Sequence, residues 1–445
     1  MRFKASSRVY FWTRLFVLFS ASGAVMTFFP VDAVRKRFPA LAVSDSGRPR
    51  VYFDAPGATQ ACSAAIDAMA SHLRNGAANA GGAFATSTAT DATTASARAA
   101  VADLLGGRAE EIAFGQNMTS LTLAVSRALA RDWHEGDEIV VTRFDHDANI
   151  APWLLAAEDR GVTVRMLEFD TQTGELRLDL LPGLLGNRTR LVAMAGASNS
   201  LGTLNDVTEV VEIVRRHSDA LVFVDAVQSV PHVPTDVAAL GCDLLVFSPY
   251  KMFGPHQGVL WGRAAVLQSL HAYKVRPAST SPAAIRFETG TQSFEGQAGV
   301  NGMIAYLDWL GGELMPTAIG RRGKLLAALD GCVAYERLLG DCLLAGLQRL
   351  PGVQLYGRPD MERRVPTFGF TVDGRAPVDV VRHLADCGIF AWAGHFYAIE
   401  TIKALGLSEQ GGLVRVGLCH YNTADEVDRM LGALHELVKM ERGKQ

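Results

Sequence analysis

The chain has 445 residues, 20% of them charged and 49% hydrophobic, with a formal net charge of −3. This balance excludes a disordered tail and a basic nucleic-acid surface, and the length allows two or three domains around a large core. Six cysteines (Cys62, Cys242, Cys332, Cys342, Cys387 and Cys419) stand without C-x-x-C spacing, which argues against zinc sites and a disulfide framework and fits a reduced, cytoplasmic setting.

At the N-terminus, Arg2, Lys4, Arg8 and Arg14 precede a short apolar run, Leu15 to Leu18, that ends among small residues. The pattern loosely resembles an export signal, yet the run is too short to span a bilayer. Met26 offers an alternative start, so residues 1–25 are set apart as an extension. No other segment reads as a membrane span.

From about residue 60 to 310, strand-length apolar runs alternate with helix-length amphipathic stretches, which predicts βα units around a mostly parallel sheet. Examples are Glu138–Val141, Val162–Met166, Arg190–Met194 and Ala220–Val224, with a helix over Val207–Arg216. Asn75 to Gly82 is a loop, too irregular for a dinucleotide fingerprint. Beyond residue 315 the texture changes. A long helix over 318–350 breaks at Pro351-Gly352, strands follow at 367–372 and 413–418, and Thr423 with Glu426 forms a capping box for a terminal helix. The expected division is a large domain, 46–314, and a small α+β domain, 26–45 with 315–445.

Lys251 follows the apolar strand Leu244–Phe247 within Ser248-Pro249-Tyr250-Lys251, and Asp225 ends an earlier strand. Strand ends are where open α/β sheets hold ligands. A lysine there suits imine formation with pyridoxal phosphate, and Asp225 suits the cofactor's pyridine nitrogen. Gln228 could donate to the phenolic oxygen. Asn117, Met118 and Thr119 lie between a strand and a helix, where free N–H groups would hold the phosphate, and Ser248 could add a contact. His146 could stack on the pyridine ring.

These residues fall in motifs that resemble the class V aminotransferases, fold-type I pyridoxal-phosphate enzymes, and most closely their cysteine-desulfurase-like branch. The motifs are Asp145-His146-Asp147-Ala148-Asn149-Ile150, Ser198-Asn199-Ser200-Leu201-Gly202-Thr203, Val224-Asp225-Ala226-Val227-Gln228, Ser248-Pro249-Tyr250-Lys251, Arg286-Phe287-Glu288-Thr289-Gly290-Thr291 and Tyr421-Asn422-Thr423. The resemblance implies an α/β fold with a mostly parallel seven-stranded sheet and a smaller C-terminal α+β domain. It implies catalytic roles for Lys251, Asp225 and His146, and a cofactor contact for Asn199. It also implies that Gly290 and Thr291 reach the phosphate of the partner in a homodimer with shared active sites. Arg415 matches the arginine that pairs with the substrate α-carboxylate, a task suited to a bidentate guanidinium.

Departures from the branch are equally informative. In Gly394-His395-Phe396-Tyr397-Ala398, Tyr397 stands where the branch carries its nucleophilic cysteine. A phenol of ordinary pKa about 10 cannot carry persulfide sulfur. Trp392 replaces an arginine, Asn79-Ala80-Gly81-Gly82 replaces an arginine-glycine turn, and Tyr250 replaces a histidine. The expectation is an amino-acid enzyme acting by β-elimination, with Tyr397 or His395 as general acid for the leaving group, or Tyr397 packing on the substrate's apolar part. Alternatives are transamination, epimerisation, or true desulfuration through Cys387, Cys419 or a free thiol. A cofactor-loaded binding protein is disfavoured because Lys251 and Arg415 are both present. Nucleic acid and membrane partners are not expected.

Overall fold

The computed structural model describes residues 29–442 and the backbone pairing of Leu18–Phe19 with Val25–Met26; the rest of the extension that could act as an export signal lies outside the described residues. Seven strands build the main sheet: β1 (Ile112–Gly115), β2 (Glu138–Thr142), β3 (Thr163–Leu167), β4 (Thr189–Ala195), β5 (Leu221–Asp225), β6 (Leu244–Phe247) and β7 (Gly258–Gly262). Their order is β1-β7-β6-β5-β4-β2-β3. All neighbours run parallel except β7, which is antiparallel to both β6 and β1. Central strands such as β6 and β7 are buried throughout, as expected for a sheet covered by helices on both faces.

A second, fully antiparallel sheet lies in the C-terminal part, with order β8 (Val353–Tyr356), β9 (Thr367–Val372), β11 (Leu413–Gly417), β10 (Trp392–Gly394). The predicted strands and terminal helix are present, and the capping box forms: Thr423 Oγ1 accepts the Glu426 N–H at 3.3 Å and Glu426 Oε2 accepts the Thr423 N–H at 3.2 Å.

Two apolar clusters correspond to the two sheets, and the helix Gly320–Arg349 serves both. Its Leu325, Leu329 and Cys332 pack into the larger, while Leu339, Leu343 and Leu347 pack into the smaller. The N-terminal segment also crosses between them, with Phe29, Val34 and Phe38 in the larger and Val51 and Phe53 in the smaller. A buried polar knot fastens this junction. Glu336 Oε2 lies 2.9 Å from His232 Nδ1, its Oε1 accepts the His420 N–H at 2.9 Å, and His420 Nε2 lies 2.6 Å from the Tyr306 hydroxyl. The histidines hold the Glu336 carboxyl below its ordinary range despite its burial. Among the described residues, no helix is long and apolar enough to cross a membrane.

Candidate active site

The C-terminal ends of β4, β5 and β6 open on a cavity of about 550 Å³. Of the expected site residues, Asn117, Met118, Thr119, His146, Asn199, Asp225, Gln228, Ser248 and Lys251 all line it. Each is placed by a strand end or by the turn after one. Asn117 caps the helix Met118–Ala130, accepting the Ser120 N–H at 2.9 Å, and Ser248 Oγ accepts the Met118 N–H at 3.1 Å. Helix N-terminus and lysine turn are thereby joined. The Asn117 backbone rests on β7, where a Cβ on Gly258 would come within 2.4 Å of it, so only glycine fits.

Lys251 is buried. Burial, reinforced by the Arg415 charge and opposed by Asp225, lowers its pKa to about 7. Burial raises Asp225 to about 6, against a stabilising N–H from Val227 at 3.0 Å and the Lys251 charge. An amine that is partly neutral at physiological pH thus sits near a carboxylate that retains affinity for a proton. Burial, with the Lys251 and Arg415 charges, lowers His146 to about 3, so its imidazole is neutral at physiological pH. Its loop is fixed by buried Asp145, which accepts from Thr142 Oγ1 at 2.6 Å, Asn149 Nδ2 at 2.6 Å and the Ala195 N–H at 3.0 Å.

Two side chains make contacts the sequence did not suggest. Gln228 Nε2 donates to the Pro56 carbonyl at 2.9 Å, which occupies one of its two amide hydrogens. Asn199 Nδ2 donates to the Phe396 carbonyl at 2.8 Å, leaving its buried Oδ1 without a partner.

Arg415, on β11, is buried beside the cavity. Its guanidinium donates to the Asn199 carbonyl at 2.9 Å, lies 4.2 Å from the Phe396 ring centroid, and leaves a buried Nε without a partner. Burial lowers its pKa to about 9, opposed by the Asp54 charge. The 394–398 loop closes over this region. Tyr397 is exposed and stacks on His146 with centroids 5.4 Å apart, and His395 turns back so that its Nδ1 accepts the Tyr397 N–H at 3.0 Å. Phe396 and Tyr397 have φ of 53° and 58°, a left-handed pair costly for side-chain-bearing residues. The Tyr397 carbonyl is held by the Asp147 N–H at 2.7 Å.

Gly290 and Thr291 are not in this cavity. Thr291 lines an adjoining cleft of about 330 Å³ with Gly115, Gln116 and Gln257, and His256 borders both spaces. The motif is tied to β1 by Glu288, which accepts the Phe114 N–H at 2.8 Å and pairs with Arg98 at 2.7 Å. Sequence reading missed Asp54, Gly57, Ala58 and His256. The turn-forming Asp54-Ala55-Pro56-Gly57 after an apolar segment was the available signal for the first three.

The six cysteines are all among the described residues, and none lines the cavity. Burial pushes Cys62 up to about 11 and Cys242 up to about 12, and Cys332 and Cys419 well above the ordinary thiol value.

The chemistry of these groups fits pyridoxal phosphate: a near-neutral buried amine, a buried carboxylate, an unpaired Asn199 oxygen, a neutral imidazole wall and a helix N-terminus with Ser248 beside it. A family model described as aminotransferase class V matches residues 51–430. The cysteine desulfurase of Yersinia pseudotuberculosis serotype IB (strain PB1/+) is 32% identical over 427 residues, covering 93% of this chain and 99% of that one. Among solved structures, the apo cysteine desulfurase of Thermococcus onnurineus NA1 matches with a TM-score of 0.81 at 28% identity, over 92% of this chain and 98% of that one. The cysteine desulfurase CsdA of Escherichia coli matches with a TM-score of 0.78 at 25% identity, over 93% and 99%. A match of that extent, spanning the same strand ends that build the cavity, makes the chain a member of the class V aminotransferase family and a pyridoxal-phosphate-dependent enzyme.

Proposed function

We propose that this enzyme removes a substituent from the β-carbon of an α-amino acid without passing sulfur to a cysteine of its own. The observation that carries this reading is the content of the cavity: a lysine poised for proton transfer, with Tyr397 and no thiol at its mouth.

Bound pyridoxal phosphate would supply an electron sink conjugated to the substrate α-carbon. Lys251, Asn199, Asp225, Gln228 and His146 would surround its ring. Asn117, Met118, Thr119 and Ser248 would hold its phosphate, with Gly290 and Thr291 contributed across a homodimer. Arg415 binds the substrate carboxylate, the unpaired Nε giving it a donor not yet committed. Lys251 Nζ takes the α-proton, a step suited to an amine whose pKa lies near the working pH. His146 remains neutral and packs as a flat wall. Tyr397, stacked on the cavity-lining His146, would stand beside a departing group, and its hydroxyl or the neighbouring His395 imidazole would hand that group a proton. We place the enzyme in the cytoplasm, a setting compatible with six free cysteines.

The test is product analysis. β-Chloroalanine is expected to give pyruvate and ammonium at steady rates, and cysteine is expected to leave no protein-bound persulfide. Persistent persulfide that disappears in one Cys→Ala variant would establish desulfuration through that thiol instead.

Arg415 is tested separately. Arg415→Lys keeps the charge and loses the planar fork, so kcat/KM is expected to fall about 10- to 100-fold, mainly through KM, as measured by initial rates.

A further inference from the structure

Aromatic rings border the cavity at two of its lining residues, Gly57 and His146. Trp392, on β10, is the direct antiparallel partner of Arg415 on β11. Directly opposed residues project their side chains on the same face, within reach of each other. Trp392 therefore stands beside the arginine, and its indole also covers the cavity wall at Gly57, where a Cβ would lie 2.8 Å from the indole nitrogen. Phe396 lies over the guanidinium, and Tyr397 stacks on His146, another wall residue. Trp392 and Tyr397 are nonetheless 53% and 63% exposed. Two large rings are thus held against the cavity lining with more than half of each exposed in the single chain.

We propose that these rings form the subsite for the β-substituent, and that the preferred substrates are cysteine thioethers carrying an apolar, aromatic group on sulfur. This rests on the β-elimination reading and specifies its substrate class. With the carboxylate on Arg415 and the α-carbon at Lys251, the substituent is the part of the substrate left to extend toward the mouth. Aromatic groups gain there by offset or edge stacking on the exposed rings. Free cysteine has nothing to place against them. The overall reaction breaks the bond between Cβ and sulfur; sulfur leaves with the electron pair and takes a proton. The three-carbon remainder reacts with one water to give pyruvate and ammonium, so that R–S–CH2–CH(NH3+)–COO− + H2O yields R–SH, pyruvate and ammonium with no oxidant or reductant.

The test uses the full chain loaded with cofactor and compares S-benzylcysteine with S-methylcysteine by pyruvate release. The expected kcat/KM ratio favours the benzyl compound by at least 10-fold. Trp392→Ala is expected to lower that ratio about 10-fold and Trp392→Phe to restore much of it. Tyr397→Ala provides a second probe. Binding is read independently from the shift of the cofactor absorbance with homophenylalanine against 2-aminobutyrate, neither of which has a leaving group. A ratio near or below one, or a ratio unchanged in both alanine variants, would overturn the proposed subsite while leaving β-elimination intact. Absorbance shifts with every amino acid but pyruvate from none, β-chloroalanine included, would overturn the underlying reaction and the subsite with it. If Trp392 instead covers a partner's surface, Trp392→Ala lowers both activities equally and changes the sedimentation of the protein, and the proposal fails.

Discussion

Lys251→Ala is expected to remove turnover by at least about 1,000-fold and to abolish the covalent cofactor absorbance, while the protein still binds the cofactor through its remaining contacts. Lys251 is the buried amine of the cavity, its charge partly suppressed by burial and by Arg415, so the unprotonated form is available near neutral pH. An amine with an ordinary lysine pKa would be almost entirely charged there. The same fact fixes a pH dependence. Recombination of apoprotein with pyridoxal phosphate needs the neutral amine, so its rate is expected to rise with pH and level off above about 7. A rise continuing toward pH 10 would show that the lysine is not perturbed as described. Lys251→Arg should not rescue turnover, because a guanidinium stays protonated and cannot take the α-proton. Absorbance spectra and single-turnover rates of wild type and both variants check these expectations.

Glu336→Ala is expected to destabilise the protein by about 2–6 kcal/mol, because two buried donors lose their acceptor at about 1–3 kcal/mol each. Glu336 is the shared acceptor for His232 and the His420 backbone, and His420 in turn meets Tyr306. Its loss leaves these two buried groups without their acceptor where the two clusters meet. Denaturant titration measures the change, and Glu336→Gln, which retains an acceptor, should lose less. The sign with pH follows from the depressed carboxyl pKa. The carboxylate's contribution is present above the ordinary value of 4.5 and disappears as pH falls through the lower folded value. The gap between wild type and Glu336→Gln should therefore shrink in acid.

The sheet was legible because its strands are buried on both faces and read as continuous apolar runs, as in Leu244–Phe247 and Leu221–Asp225. Its one antiparallel member was not, since Gly258-Val259-Leu260-Trp261-Gly262 has no composition that distinguishes direction. Most residues that line the cavity were legible because they occupy strand ends and turn motifs, which are local. What escaped was long-range. Trp392 gains its position from pairing with Arg415, and Glu336 gains its partners from residues 84 and 104 positions away. Asp54 lies far in sequence from the Arg415 charge it feels. Register and packing across such separations are set by the assembled core and leave little local trace.

The Phe396 ring lies 4.2 Å from the Arg415 guanidinium, and Nη1 already donates to the Asn199 carbonyl. Both partners belong to the chain itself, so the head group is held in place before any anion arrives. A guanidinium stacks on a ring and pairs with an anion through its N–H groups at the same time, and the uncommitted Nε is one such group. An anion that meets Arg415 therefore does not have to order a free, rotamer-rich side chain. The left-handed backbone of Phe396 and Tyr397 carries that ordering in the resting protein.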